Sequence, residues 1–367
     1  MIKHISFLFS TLLVLAACSG KETPVPEPVA VGFSVQESTK AGYIGEANAG
    51  ILRATGFGVY AYVTPDSDWA SAGASTTPRF MTNQKVQYEG VDGWMYRPLK
   101  YWPNEAADKV SFFAYAPYVA LDALDDVSGI VSLPGKDDVG TPKIGYKVAA
   151  NPAFGVDLMY GVAASDHTNP SVTAGVPYLD MTKLRVGEKL DFRFKHALTR
   201  LVITVDAVSS GAIDWANTRV VIESLVLGDG GPTLYTQGEL NLQSGEWEGL
   251  TGLVGDLTSL IPSGFKYVSG NENSVTYFTQ QPLGVTGSAQ SLFGKGVDGT
   301  SDAQLLYIPG PASDNPLPLT VKYHVIVRDA GEASGYRTIT SNPTVNLSVG
   351  FTPGQTTTIN LHLNAGL

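Results

Sequence analysis

The sequence predicts an all-β protein. Short runs of alternating apolar and polar residues recur from residue 31 to the end, at the period of a half-buried strand. Glycine (40) and proline (22) are abundant among 367 residues and bound most of these runs, as turns between strands require. Long amphipathic stretches at helical spacing are absent; the best short ones are residues 119–127 and 211–217. Without a strand–helix rhythm, antiparallel β-sandwiches are favoured over a parallel α/β sheet. Two sandwiches in tandem fit the length, with a boundary near residue 186, giving units at 31–185 and 186–367.

The elements follow in order. Val31, Phe33 and Val35 alternate with Gly32 and Ser34 in the first run. Runs at 58–63, 109–115, 129–133, 144–149 and 157–162 come next. Residues 165–189 are rich in Thr, Gly, Asn and Pro and carry no strong pattern. From residue 190, Leu190, Phe192, Phe194 and His196 share one face, and the run continues into 201–205. Further runs lie at 219–227, 233–242, 275–279 and 304–308. Val321, Tyr323, Val325 and Val327 share a face in the run 321–328. The last run, 358–363, alternates Ile359, Leu361 and Leu363 with polar residues. No period repeats along the chain, which argues against a solenoid or propeller.

The N-terminus reads as an address. Lys3 and His4 precede a mostly apolar stretch at 5–17, too short for a span of about 20 residues and suited to a signal peptide. The stretch ends Leu15-Ala16-Ala17-Cys18, with small residues before the single cysteine of the chain. This resembles the bacterial lipobox, which implies a signal peptide at 1–17, cleavage before Cys18 and lipidation of its thiol. Residues 18–30 contain Gly20, Pro24, Pro26 and Pro28 and are expected to form an extended, lipidated tether. Lys21-Glu22 resembles the export signal of surface lipoproteins in Bacteroidetes. No later segment reaches 18 apolar residues, so the remainder is expected to be soluble.

Composition excludes several functions. Lys and Arg number 24 against 34 Asp and Glu, a net charge of −10. A nucleic-acid partner needs a basic face to displace counterions, so none is expected. One cysteine permits neither an internal disulfide nor a thiolate metal cluster. The histidines (His4, His167, His196, His324, His362) form no ligand-spaced pair. His196 shares its phase with Phe192 and Phe194 and reads as a core histidine. His324 and His362 fall on polar phases and are expected to be solvated. No G-x-S-x-G elbow occurs. Residues 294–299 match G-x-G-x-x-G, but neither a strand before nor a helix after supports a dinucleotide site. Asp122, Asp125 and Asp126, and Asp137 and Asp138, lack calcium-loop spacing and read as solvated loops, with opportunistic calcium binding as the alternative. No catalytic, metal or cofactor residue is assigned, and no enzyme is expected. Trp94, Tyr96, Tyr101 and Trp102 cluster around Pro98 and Pro103. They read as rings sealing one end of a core, with a sugar-binding platform as the alternative.

Several blocks together resemble the fimbrillin (Mfa-like) family of Bacteroidetes. They are residues 80–86, Trp94-Met95-Tyr96, 100–104, 109–118, 157–161, 192–201 and 353–363. The resemblance implies two transthyretin-like β-sandwich domains and a type V pilus subunit. Such a subunit is exported as a lipoprotein and anchored in the outer membrane at the cell surface. It is then processed, built into a pilus and used in adhesion. In the family a surface protease cuts after a basic residue and removes the first strand, and another fimbrillin subunit fills the vacated groove. Here that strand carries Val31, Phe33 and Val35. The expected cut follows Lys40 by position or Arg53 by side-chain chemistry. The last strand, with Ile359, Leu361 and Leu363, is the candidate donor; a tip or anchor subunit that donates nothing is the other possibility. Implied partners are sibling subunits, the protease, and a host or bacterial receptor or glycan. A monomeric, lipid-anchored glycan-binding lipoprotein is the alternative function.

Overall fold

The computed structural model of the chain describes residues 27–36, 50, 52–168, 171–270, 278, 284–296, 299 and 301–366. Cys18, the 1–17 leader, the tether as far as residue 26, and Lys40 lie outside the described residues.

The fold is all-β, as expected. The first half carries β1 (Phe33–Val35), β2 (Phe57–Thr64), β3 (Met81–Tyr88), β4 (Trp94–Met95), β5 (Lys109–Ala116), β6 (Gly129–Ser132), β7 (Lys143–Lys147), β8 (Met159–Ala163), β9 (His167–Thr168), β10 (Ser171–Val172), β11 (Tyr178–Met181) and β12 (Leu190–His196). The second half carries β13 (Thr199–Val208), β14 (Thr218–Leu227), β15 (Leu234–Asn241), β16 (Trp247–Leu253), β17 (Gln290–Ser291), β18 (Leu305–Pro309), β19 (Leu317–Arg328), β20 (Tyr336–Ser341), β21 (Thr344–Leu347) and β22 (Thr356–Asn364).

Three main sheets result. The first runs β1-β12-β8-β5-β2-β3-β4, with β11 also on β5. The second runs β17-β13-β18-β15-β7-β6, with β16 on β15 and β22 on β13. The third is β14-β19-β20, with β21 also on β19. Among the described strands, pairing is antiparallel except at two places, where β1 lies parallel to β12 and β22 lies parallel to β13. Each terminal strand is reached by a crossover rather than a hairpin, and only crossovers can deliver parallel neighbours.

The expected boundary at residue 186 falls between β11 and β12, but the sheets do not divide there. β7 pairs with β15 over five residues, from Lys143 with Asn241 to Lys147 with Gln237. The reason lies in β2 and β5, which are apolar on both faces. Phe57, Val59, Phe112 and Ala114 bury on one side, in a cluster with Phe33 and Phe192. Tyr60, Tyr62, Phe113 and Tyr115 bury on the other, in a cluster with Ile144, Tyr146 and Leu240. A sheet with two apolar faces needs a layer on each, and β6 and β7 help to supply the second one while β7 remains bonded to β15.

Three smaller expectations also change. The run from Leu190 through Val205 breaks at Ala197-Leu198 into β12 and β13, which join different sheets. The helix candidates at 119–127 and 211–217 reduce to a 3-10 turn, Leu121–Ala123, and loop. His324 is not solvated: it is 5% exposed, and its ring stacks on Tyr267 at 3.7 Å. Its Nε2 lies 2.6 Å from Glu223 Oε2 and its Nδ1 3.0 Å from Thr340 Oγ1. His362 is exposed and pairs with Asp206, and His196 is half-buried against Asp157, with 2.6 Å between the paired atoms in each case.

Candidate functional site

The two terminal strands form the candidate site. The first begins before β1. Val29, Val31 and Phe33 are buried, while Ala30, Gly32 and Ser34 between them are half-buried. This is the alternation read from residues 31–35, extended by one step, although Val35 itself is half-buried rather than buried.

The segment changes partner midway. Trp102 N–H donates to Val29 O, and Val31 N–H donates to Lys100 O, both at 2.9 Å. The chain then crosses to β12. Leu190 N–H donates to Gly32 O at 2.9 Å, and Phe33, Ser34 and Val35 lie level with Leu190, Asp191 and Phe192. Gln36 N–H closes the ladder on Phe192 O at 2.8 Å. The Tyr96 hydroxyl donates to Val31 O at 2.9 Å, and Ser34 Oγ donates to Asp191 Oδ1 at 2.9 Å. Tyr178 braces the far side of β12, its hydroxyl donating to Asp191 O at 2.8 Å. Burial raises the Tyr96 hydroxyl above the ordinary tyrosine value and pushes that of Tyr178 up to about 12. Both therefore keep their protons and act as donors.

Phe33 is the anchor. Its ring centroid lies 6.3 Å from Phe57, 5.4 Å from Tyr96, 6.1 Å from Phe112 and 6.0 Å from Phe192. Aromatic contacts at such distances add to the area each ring buries. Trp94 stands 5.2 Å from Phe57, and Trp102 stands 5.6 Å from Phe112. Trp94, Tyr96 and Trp102 are 8%, 5% and 3% exposed, so their faces line the pocket rather than solvent. Tyr101 alone of the cluster is exposed. An open apolar cavity of about 420 Å³ runs beside the segment, bounded by Pro28, Val31, Phe33, Tyr96, Leu99 and Val186.

Arg53 is exposed on a helical turn at 52–55, directly before β2, while the neighbouring Leu52 is buried. Its guanidinium lies over the Tyr88 ring at 4.7 Å.

The last strand, β22, occupies the equivalent edge of the second sheet. It runs parallel to β13 through nine level pairs, from Arg200 with Thr356 to Val208 with Asn364. Ile359, Leu361, Leu363 and Ala365 are buried in the large core. Thr204 Oγ1 donates to Asn360 Oδ1 at 2.6 Å, and the Tyr323 hydroxyl donates to Asn364 O at 3.1 Å. The candidate donor residues therefore pair with β13 of their own chain in this structure. Among the described residues, no group of three metal-binding side chains assembles, and no helix is long and apolar enough to cross a membrane.

Sequence reasoning located both strands but missed Asp191 and Asp206. Each is flanked by apolar residues in an alternating run, a signal present in the sequence but without meaning until the partner strand is known.

The structure is that of an all-β protein whose first and last described strands each add in parallel to a neighbouring strand. The family described as fimbrillin-like matches residues 47–367, and the chain belongs to that family. It is 27% identical over 259 residues to a fimbrium subunit, Fim1C, of Phocaeicola vulgatus, an alignment covering 68% of this chain and 62% of that relative. Its fold is similar to the crystal structure of a fimbrial protein from Bacteroides vulgatus. The TM-score is 0.60 at 24% identity, covering 91% of this chain and 95% of that one.

Proposed function

We propose that the chain is a subunit of a surface fimbria serving adhesion, assembled by strand exchange. It is exported as a lipoprotein and held in the outer membrane through Cys18. A surface protease cuts after Arg53 or Lys40 and releases the segment that carries Val31, Phe33 and Val35. The groove beside β12 then receives a strand from another subunit, and Ile359, Leu361 and Leu363 of β22 are the candidate insert.

The observation that carries this reading is the edge position of β1. This strand pairs with β12 over three residues at the end of its sheet, so a cut upstream of β2 separates it from the rest of the chain without breaking a central strand. Its removal exposes the backbone groups of β12 and an aromatic pocket, and an incoming strand restores both. Main-chain bonds supply affinity, and alternate side-chain pockets supply register. Of the four rings behind the glycan-binding alternative, Trp94, Tyr96 and Trp102 are buried and Tyr101 is exposed, which favours the assembly reading.

Limited trypsin digestion of residues 19–367, followed by intact mass and size-exclusion chromatography, tests the proposal. The expected result is an early cut after Lys40 or Arg53, loss of the first strand and growth of oligomers. A resistant N-terminus with a monomer throughout would overturn it.

A further inference from the structure

The two terminal strands obey one local rule. On β12, Phe33, Ser34 and Val35 stand level with Leu190, Asp191 and Phe192. On β13, Leu361, His362 and Leu363 stand level with Val205, Asp206 and Ala207. Both receiving strands present an aspartate between two buried apolar residues. Both added strands run parallel to them and set a hydrogen-bonding side chain opposite that aspartate. Ser34 Oγ donates to Asp191 Oδ1 at 2.9 Å, and His362 Nδ1 lies 2.6 Å from Asp206 Oδ1.

We propose that Asp191 selects and registers the exchanged strand, and that the C-terminal strand of a second copy of this chain meets it with His362. This rests on the assembly reading above and names the residue that makes it specific. With His362 opposite Asp191, Leu361 takes the place of Phe33 and Leu363 that of Val35. A slip of one residue turns Asn360 and His362 into the aromatic pocket and sets a leucine against the carboxylate. An acidic residue at the central position meets Asp191 as a like charge.

The rest of the groove sets limits on this fit. Lys189 and Arg193 lie two residues either side of Asp191, on the same strand face. A Cβ at Gly32 would lie 3.0 Å from Lys189 Cγ. Asn360, arriving at that position, therefore requires the lysine side chain to turn. Leucine is also smaller than phenylalanine, so Leu361 fills the pocket of Phe33 incompletely. β22 matches the polar rule better than the volume.

The test uses the chain nicked by trypsin between residues 36 and 54, still carrying β1, and labelled peptides that compete for the groove. One peptide is residues 27–36 and the other residues 355–366; each is also made with its central residue changed, Ser34→Glu or His362→Glu. Both parent peptides are expected to exchange in, and both Glu variants to bind about tenfold more weakly, the scale of removing one charge-assisted hydrogen bond. Asp191→Lys is expected to reverse that order, and Asp191→Asn, an isosteric check on folding, to abolish the discrimination. Equal binding of parent and Glu peptides, or equal weakening of all four by Asp191→Lys, overturns the role of Asp191. Failure of the 355–366 peptide alone overturns β22 as donor, because the 27–36 pair still reads Asp191. Failure of every peptide overturns strand exchange itself.

Discussion

Phe33 and Phe192 stack across the parallel junction of β1 and β12, with ring centroids 6.0 Å and planes 29° apart. The first strand is thereby tied to a residue 159 positions later in the chain, through one ring set among four others. Phe33→Ala is expected to cost about 3–5 kcal/mol, the range for emptying a buried phenylalanine site. Denaturant unfolding measures that loss. The same variant should release the first strand faster under limited proteolysis.

The floor of this groove depends on a missing side chain. Gly161 on β8 lies level with Ala114 on one side and Phe194 on the other. A Cβ there would stand 2.8 Å from Ala114 Cβ and 3.0 Å from Phe192 Cδ1. Neither neighbour is the free end of a flexible chain. Gly161→Ala is therefore expected to destabilise by about 1–3 kcal/mol through overpacking, visible as a lower midpoint in urea. A midpoint equal to that of the wild type would show that β12 can shift at little cost.

Leu361 makes the complementary case at the other end. It is buried in the core of the second sheet, level with Val205. Leu361→Ala is expected to cost about 2–5 kcal/mol. Amide hydrogen exchange should place the loss in β13 and β22 and leave β1 protected. Loss of protection in β1 instead would mean that the two edges are energetically coupled.

Glu223 predicts an acid limit. Its carboxylate accepts from Lys322 Nζ at 2.8 Å and faces His324 Nε2 at 2.6 Å. Lys322 first, and His324 second, hold that carboxyl below the ordinary glutamate value. The native state thus binds this proton less readily than the unfolded chain does. The stabilisation is present above the unfolded glutamate value and is lost as pH falls through the lowered native one. Glu223→Gln is expected to cost about 1 kcal/mol or less at neutral pH, since the pair is partly exposed. Its stability should fall less steeply than that of the wild type on acidification. Parallel curves of the two proteins below the ordinary glutamate range would remove Glu223 from the acid response.

His196 marks how far the pattern can be read. Its phase with Phe192 and Phe194 predicts an inward position, and the side chain is half-buried. That it meets Asp157 follows from no local signal, because the partner lies 39 residues away in the chain. His324 departs in the opposite sense. A polar phase predicts exposure only where that face of the sheet is open, and here Tyr267 covers it. The ring cluster near Trp94 seals a core, as its composition predicts, yet its function as a socket for Phe33 emerges only in the fold.

The sequence by itself determined the all-β class, the strands with clear alternation, and the inward phase of Val31 and Phe33 and of Ile359, Leu361 and Leu363, because alternation and turn residues act over a few positions. It did not mark β3, β11, β16, β20 or β21, whose alternation is weaker. Only the tertiary structure decided which edges the first and last strands occupy, that both lie parallel, and that β7 binds β15 across the expected boundary. Ser34 reaches Asp191 over 157 residues and His362 reaches Asp206 over 156. Pairing at such separation is chosen by which edges remain open once the layers have packed, and local periodicity carries no information about that choice.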